Sequence, residues 1–133
     1  MAPLEREVRR LLGKAIAHHD LLEDGDRVVV AVSGGKDSVL LLWLLRERLQ
    51  RIPIRYELIA VHVDPGFDET SADQLEAFFL KEGFTYRILR TDHGPRAHSP
   101  ENRENPCFLC SRLRRTALFR TARALDCRKI ALG

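Results

Sequence analysis

The sequence predicts an α/β protein built on a doubly wound parallel sheet, with helices on both faces. Three observations carry that expectation. Short apolar runs rich in β-branched residues alternate with longer segments of helical periodicity. The connections are short, which in such an alternation means right-handed crossovers between parallel strands. The first apolar run, Arg27-Val28-Val29-Val30-Ala31-Val32, passes through two glycines directly into a helical stretch.

The chain opens over residues 3–19, where Leu4, Val8, Leu11, Leu12, Ala15 and Ile16 recur at helical spacing with Arg6, Arg9, Arg10 and Lys14 between them. This is the pattern of an amphipathic helix whose basic face is either solvated or in contact with a polyanion. Glu23-Asp24-Gly25-Asp26 reads as a turn. Residues 1–25 are thus an N-terminal helix and turn ahead of a single domain over 26–133. Residues 27–32 form the first strand. Residues 37–50 are apolar nearly all round until Arg46-Glu47-Arg48, so this helix is expected against the sheet. Residues 56–63, bounded by Pro53 and Pro65-Gly66, form the second strand. Ser71-Ala72-Asp73-Gln74 has capping-box spacing and is expected to open a helix with Leu75, Phe78 and Phe79 inward, ending at Gly83. Residues 85–89 form the third strand. Over 91–106 periodicity vanishes, and a structureless stretch of this length in a compact domain tends to be functional or mobile. A long helix follows, from about Cys107 or Ser111 to Asp126. Lys129-Ile130-Ala131-Leu132 begins a fourth strand.

Ser33-Gly34-Gly35-Lys36-Asp37-Ser38 lies between the first strand and its helix. Glycines without Cβ allow left-handed angles and let backbone N–H groups approach a ligand, while the open donors and dipole of a helix start favour an anion. This is a phosphate cradle, although neither the Walker A spacing nor the dinucleotide fingerprint is present. Lys36 supplies a point charge and Ser38 a hydroxyl donor. Asp37 beside polyphosphate is repulsive unless a cation bridges the two or it caps helix N–H groups, which implies magnesium. A strand order of 3-2-1-4 would put the topological switch point at this loop, where doubly wound sheets bind ligands. Asp64, at the end of the second strand, would face the same crevice or serve as an ordinary turn residue.

The second constellation is Cys107-Phe108-Leu109-Cys110. Thiols at i and i+3 can share a helix face, and a helix start favours the thiolate that binds metal or attacks sulfur. Two buried structural cysteines are one alternative. Zinc is another, because His93 and His98 with the two cysteines would complete a four-ligand set. Cys127 is out of reach, on the order of 25 Å from Cys110 along the intervening helix, and is expected to be a small buried residue. Arg112, Arg120 and Arg123 fall on one side of that helix, opposite Ala117, Leu118, Ala122 and Leu125. They form either a solvated face or a stripe suited to an RNA backbone.

Composition sets the class. The chain has 133 residues, 44% hydrophobic and 31% charged, one domain's worth of soluble globular sequence. No apolar run approaches a membrane span and the start lacks signal-peptide character, so a cytoplasmic setting without membrane contact is expected. Three cysteines, with one Cys-x-x-Cys, suit metal or redox chemistry better than a disulfide scaffold. A net charge of +3 permits a nucleic-acid partner without demanding one.

The glycine loop resembles the PP-loop of the N-type ATP pyrophosphatases, with their adenine nucleotide α-hydrolase-like fold. Those enzymes cleave ATP between the α and β phosphates, adenylate an oxygen and release pyrophosphate. Together with Ala60-Val61-His62-Val63-Asp64-Pro65-Gly66-Phe67 and Cys107-Phe108-Leu109-Cys110-Ser111-Arg112-Leu113-Arg114-Arg115, it resembles the TtcA-type tRNA 2-thiocytidine synthetases along the whole chain. That resemblance implies ATP at Ser33, Gly34, Gly35, Lys36, Asp37 and Ser38, with Val63 touching the adenine through its backbone and Asp64 near the adenosine. It implies Asp37, Cys107 and Cys110 as catalytic residues and a [4Fe-4S] cluster with Cys107 and Cys110 as two of three ligands. It implies a tRNA substrate contacted by Arg112, Arg120 and Arg123, and sulfur from sulfide or a persulfide-carrying protein; a homodimer is the expected assembly. A uridine thiolase and a non-catalytic nucleotide- or RNA-binding module with structural zinc are the alternatives. The chain stops where those enzymes continue, so it reads as their amino-terminal part, one cluster ligand short and with its fourth strand left as an edge.

Overall fold

Valines set the centre of the sheet. In β1 (Arg27–Ala31), Val28, Val29 and Val30 point alternately to the two faces, and all are buried. A strand buried on both faces needs helices above and below it, which is the setting of a parallel sheet. The computed structural model describes residue 6, residues 22–67 and residues 69–132. Of the amphipathic helix expected over 3–19, only Arg6 is described, in helical conformation; the rest lies outside the described residues.

Four strands, β1, β2 (Glu57–Asp64), β3 (Tyr86–Arg90) and β4 (Lys129–Leu132), pair in parallel in the order β3-β2-β1-β4. This is the predicted 3-2-1-4 order. Val30 lies opposite Ala60 on one side and Ala131 on the other, so three small or branched side chains share one row across the sheet.

On one face, Val28, Val30 and Val32 pack with Leu42 and Leu45 of α1 (Lys36–Arg48) and Phe79 of α2 (Glu69–Glu82). Phe78, Phe79, Phe84 and Tyr86 form a cluster of ring contacts at the outer edge of this face. On the other face, Val29, Ile59, Val61 and Val63 pack with Leu118 and Ala122 of α4 (Pro106–Ala124), joined by Cys127. Cys127 is the small buried residue the sequence predicts, and burial pushes its thiol pKa up.

Two local expectations need correction. Helix α2 begins at Glu69, two residues ahead of the capping box, so Ser71 lies inside the first turn rather than capping it. The 91–106 segment is not structureless, because it contains a short helix, α3 (His93–Ala97). That helix is tied to the β2 end: Gly94 N–H donates to the Pro65 carbonyl at 2.7 Å and Thr91 Oγ1 to the Asp64 carbonyl at 2.7 Å. Its sequence, His-Gly-Pro-Arg-Ala, holds two poor helix formers, so nothing local announces it. Helix α4 starts at Pro106, earlier than Cys107, because the Asn105 side chain accepts from the Cys107 and Phe108 N–H groups and proline suits the first helical position.

Candidate active site

Beyond the carboxyl ends of β1 and β2, the chain turns through the glycine loop. Gly34 sits at φ +97°, a conformation an L side chain rarely adopts. Gly35, expected to share that freedom, is instead extended at φ −77° and stands as the N-cap of α1 with no side chain capping it. The donors of the first helical turn are therefore left open at the loop, as an anion site requires.

Ser38 departs from expectation as well. Its buried hydroxyl donates to the Gly35 carbonyl at 3.0 Å and accepts from the Ser33 N–H at 3.1 Å, so it staples the loop instead of offering a donor to phosphate. Ser33 Oγ, 3.3 Å from Ser38 Oγ, accepts from the Gly35 N–H at 3.4 Å and remains on the open side. Lys36 and Asp37 are exposed on the first turn of α1. Asp37 does not cap this helix, whose N-cap is Gly35, and its carboxylate stands in the exposed first turn beside the glycine loop.

His62 locks the loop from beneath. Its buried ring donates through Nδ1–H to the Val32 carbonyl at 2.7 Å, fixing the strand end just before Ser33. Asp64 is also buried, and its carboxylate accepts from the Gly66 N–H at 2.9 Å and lies 3.7 Å from the Arg90 guanidinium. It shapes the turn after β2. Gly66 in that turn has φ +90°, and a Cβ there would run into the Thr91 carbonyl oxygen.

Two cavities flank the loop. One, of about 310 Å3, is lined by Ser33 and Gly34 together with Ser71, Gln74 and Leu75 of α2. The other, of about 440 Å3, is lined by Ser33, His62 and Val63 together with His93, Cys110 and Arg114. Ser33 at the start of the glycine loop, the residue expected beside adenine and one of the two helix-start cysteines thus share one cavity of ligand size. Cys107 is exposed, Cys110 half-buried, and neither is in a disulfide.

The zinc alternative does not assemble. Among the described residues no three His, Cys, Asp or Glu side chains are placed to hold a metal ion. His98 packs edge-on against Phe67, with ring centroids 5.5 Å apart. His93 lines the larger cavity with its Nδ1 sealed and without a partner, and burial pushes its pKa down. Two soft thiols on one helical turn fit the thiolate chemistry by which iron–sulfur clusters are held.

Of the arginines expected to meet RNA, Arg112, Arg120 and Arg123 are exposed, opposite the buried Leu118 and Ala122. Arg112 pairs with Glu104 at 3.0 Å, and Arg123 borders a separate groove between α4 and β4. Sequence reasoning missed Arg114 and the locking role of His62. The spacing Cys110, Arg114, Leu118, four residues apart each time, carries the signal for Arg114, because it continues the cysteine's face of the helix.

The profile of the PP-loop domain family matches residues 2–80. A tRNA-cytidine(32) 2-sulfurtransferase of Syntrophotalea carbinolica is 48% identical over 134 residues, covering 98% of this chain and 51% of that protein. Its counterpart in Citrifermentans bemidjiense is 44% identical, covering 95% and 50%. The chain thus spans about half the length of these curated relatives. Among solved structures, the U34-tRNA thiolase NcsA from Methanococcus maripaludis, with its [4Fe-4S] cluster, matches with a TM-score of 0.74 and 32% identity, over 97% of this chain and 43% of that one.

Proposed function

The chain belongs to the PP-loop domain family, and from that premise we propose that it is the nucleotide-binding part of an ATP-dependent tRNA thiolase acting on cytidine. The observation that carries the proposal is the cavity of about 440 Å3 that is lined by both Ser33 of the glycine loop and Cys110. A nucleotide-activating loop and a sulfur-handling thiol gain from sharing a chamber only if one substrate meets both. The relatives named as cytidine(32) sulfurtransferases support the choice of base.

The chemistry needs two displacements. The carbon-2 oxygen of the pyrimidine attacks the α-phosphorus of ATP; the oxygen–phosphorus bond forms, and pyrophosphate leaves with the electron pair of the broken α–β bridge. Hydrosulfide, the sulfur nucleophile, then forms the carbon–sulfur bond; AMP departs with the oxygen and its electron pair, and a proton is released. Activation is needed because a carbonyl oxygen is a poor leaving group and a phosphate ester of it is a good one.

The residues divide the work. Gly34, Gly35 and the open start of α1 grip the outer two phosphates, and Lys36 adds a charge to them. Asp37 holds magnesium against the phosphates, and Val63 offers its backbone to the adenine while Asp64 keeps the adjoining turn closed. Cys107 and Cys110 would hold a [4Fe-4S] cluster, which when bound would supply the site that carries sulfur. Arg112, Arg120 and Arg123 meet the tRNA backbone, whose unstacked loop base enters the cavity. The sulfur arrives as sulfide, or on a persulfide-carrying protein from which a thiol reductant releases it as hydrosulfide while being oxidised to a disulfide, in a cytoplasmic setting, and the enzyme works as a homodimer. Among the described residues no helix is long and apolar enough to cross a membrane.

The test is anaerobic incubation with iron, sulfide, ATP, magnesium and tRNA, followed by mass spectrometry of the tRNA nucleosides. The expected product is 2-thiocytidine with equimolar AMP. The likeness to a U34-tRNA thiolase supports a second reading, which thiouridine as the product would establish in place of the first.

A further inference from the structure

Arg114 lines the cavity between the glycine loop and Cys110, and we propose that it holds the phosphate of the adenylylated base through the sulfur-transfer step, a role that rests on the thiolation reading above. Its position is fixed by the helix. Leu118, one turn further along α4, is buried in the sheet-facing core, and Cys110, one turn back, borders the same cavity. The side chain is exposed, as are those of Arg112, Arg120 and Arg123, but of these four it alone borders this cavity.

Charge singles it out. No carboxylate lines this cavity, and among the described residues that do, Arg114 carries the only guanidinium or ammonium. Arg90 and Arg112 are held by Asp73 and Glu104, whereas Arg114 has no ion pair among the described residues. His93 lies nearby, but burial disfavours its cationic form. A cavity whose walls are apolar or neutral apart from one unpaired guanidinium is a receptor for an anion.

The path of the reaction says which anion. The outer phosphates sit on the open turn of α1, and sulfur is handled at Cys110. The phosphorus that joins the base must lie between them. As AMP departs, negative charge grows on that phosphate and on the oxygen it takes away. A planar fork of donors suits two phosphate oxygens at once, and its stabilisation grows as the charge develops.

Calorimetric titration of the 133-residue chain with AMP and, separately, with inorganic pyrophosphate tests this. Arg114→Gln is expected to weaken AMP binding by about tenfold, the scale of a lost charge-assisted hydrogen bond, while leaving pyrophosphate within about twofold of wild type. Arg114→Lys should recover part of the AMP affinity, because it restores charge without the fork. Unchanged AMP affinity in Arg114→Gln overturns the assignment, as does an equal loss for both ligands, which would make Arg114 a distant contributor to the field. In a parallel titration with tRNA, a loss confined to that ligand overturns it too, in favour of a nucleic-acid backbone contact. If the wild type takes up neither ligand, the glycine cradle itself fails and the thiolation reading falls with it.

Discussion

Gly66 shows how much of this site is held by backbone rather than by side-chain chemistry. A residue with a Cβ there would have to keep φ +90° and displace the carbonyl of Thr91, the residue whose N–H and Oγ1 donate to the Asp64 carbonyl and tether the segment leading to His93. Gly66→Ala is expected to cost about 2 kcal/mol, read from the urea midpoint; a change below about 0.5 kcal/mol would mean that the turn relaxes freely. Lys36→Ala, exposed and away from the core, should weaken ATP binding by about tenfold or more without moving that midpoint. Cys110→Ser is expected to abolish cluster incorporation, read from the visible spectrum after anaerobic reconstitution, with ATP affinity nearly intact. Residue types at the glycine loop were legible from sequence, but their division of labour was not. Whether the Ser38 hydroxyl faces a ligand or the Gly35 carbonyl depends on a loop path that spacing does not encode. Arg114 is as exposed as Arg112, Arg120 and Arg123, and only the cavity it shares with Cys110 distinguishes it, which residue type alone does not encode.

At the scale of elements, strands and long helices follow from apolar runs and their period, and the boundaries shift where caps compete. Asn105 captures two N–H groups and so starts α4 at a proline, while Ser71 is overrun by a helix that begins at Glu69. Helix α3 was hidden because its reasons are tertiary: the Pro65 carbonyl takes its Gly94 N–H, and the buried Ala97 carbonyl takes Asn102 Nδ2 at 2.6 Å. The β4 edge carries its own tether. Lys129 Nζ lies 2.7 Å from Asp26 Oδ2, joining the start of β4 to the residue before β1. Burial raises the Asp26 carboxyl pKa, but the Lys129 hydrogen bond and charge and the Glu23 N–H outweigh it and leave it below its ordinary value. A lowered folded pKa means stability that is complete above the unfolded value, about 4, and lost as pH falls through the folded one. Thermal melts from about pH 5 to about pH 2 should therefore fall more steeply for wild type than for Asp26→Asn. Parallel curves would remove Asp26 from the acid response.

At the scale of the molecule, topology was the most legible property, because parallel strands with short crossovers leave few arrangements and the glycine loop needs a switch point. What sequence could not deliver was the meeting of residues 33, 63, 93, 110 and 114 around one cavity. Those positions come from four separate elements and loops, and only the sheet order and the docking of α4 by Leu118 and Ala122 bring them together. The central claim is that the open turn after β1 is where a nucleotide's outer phosphates rest. A titration of the isotope-labelled chain with magnesium-ATP, followed through its backbone amide resonances, tests it most directly. The account predicts that the amides of Gly34, Gly35, Lys36, Asp37 and Ser38 move first and furthest, with Val63 following. Shifts that gather instead in the groove between α4 and β4, with the Gly34 and Gly35 amides still, would contradict it.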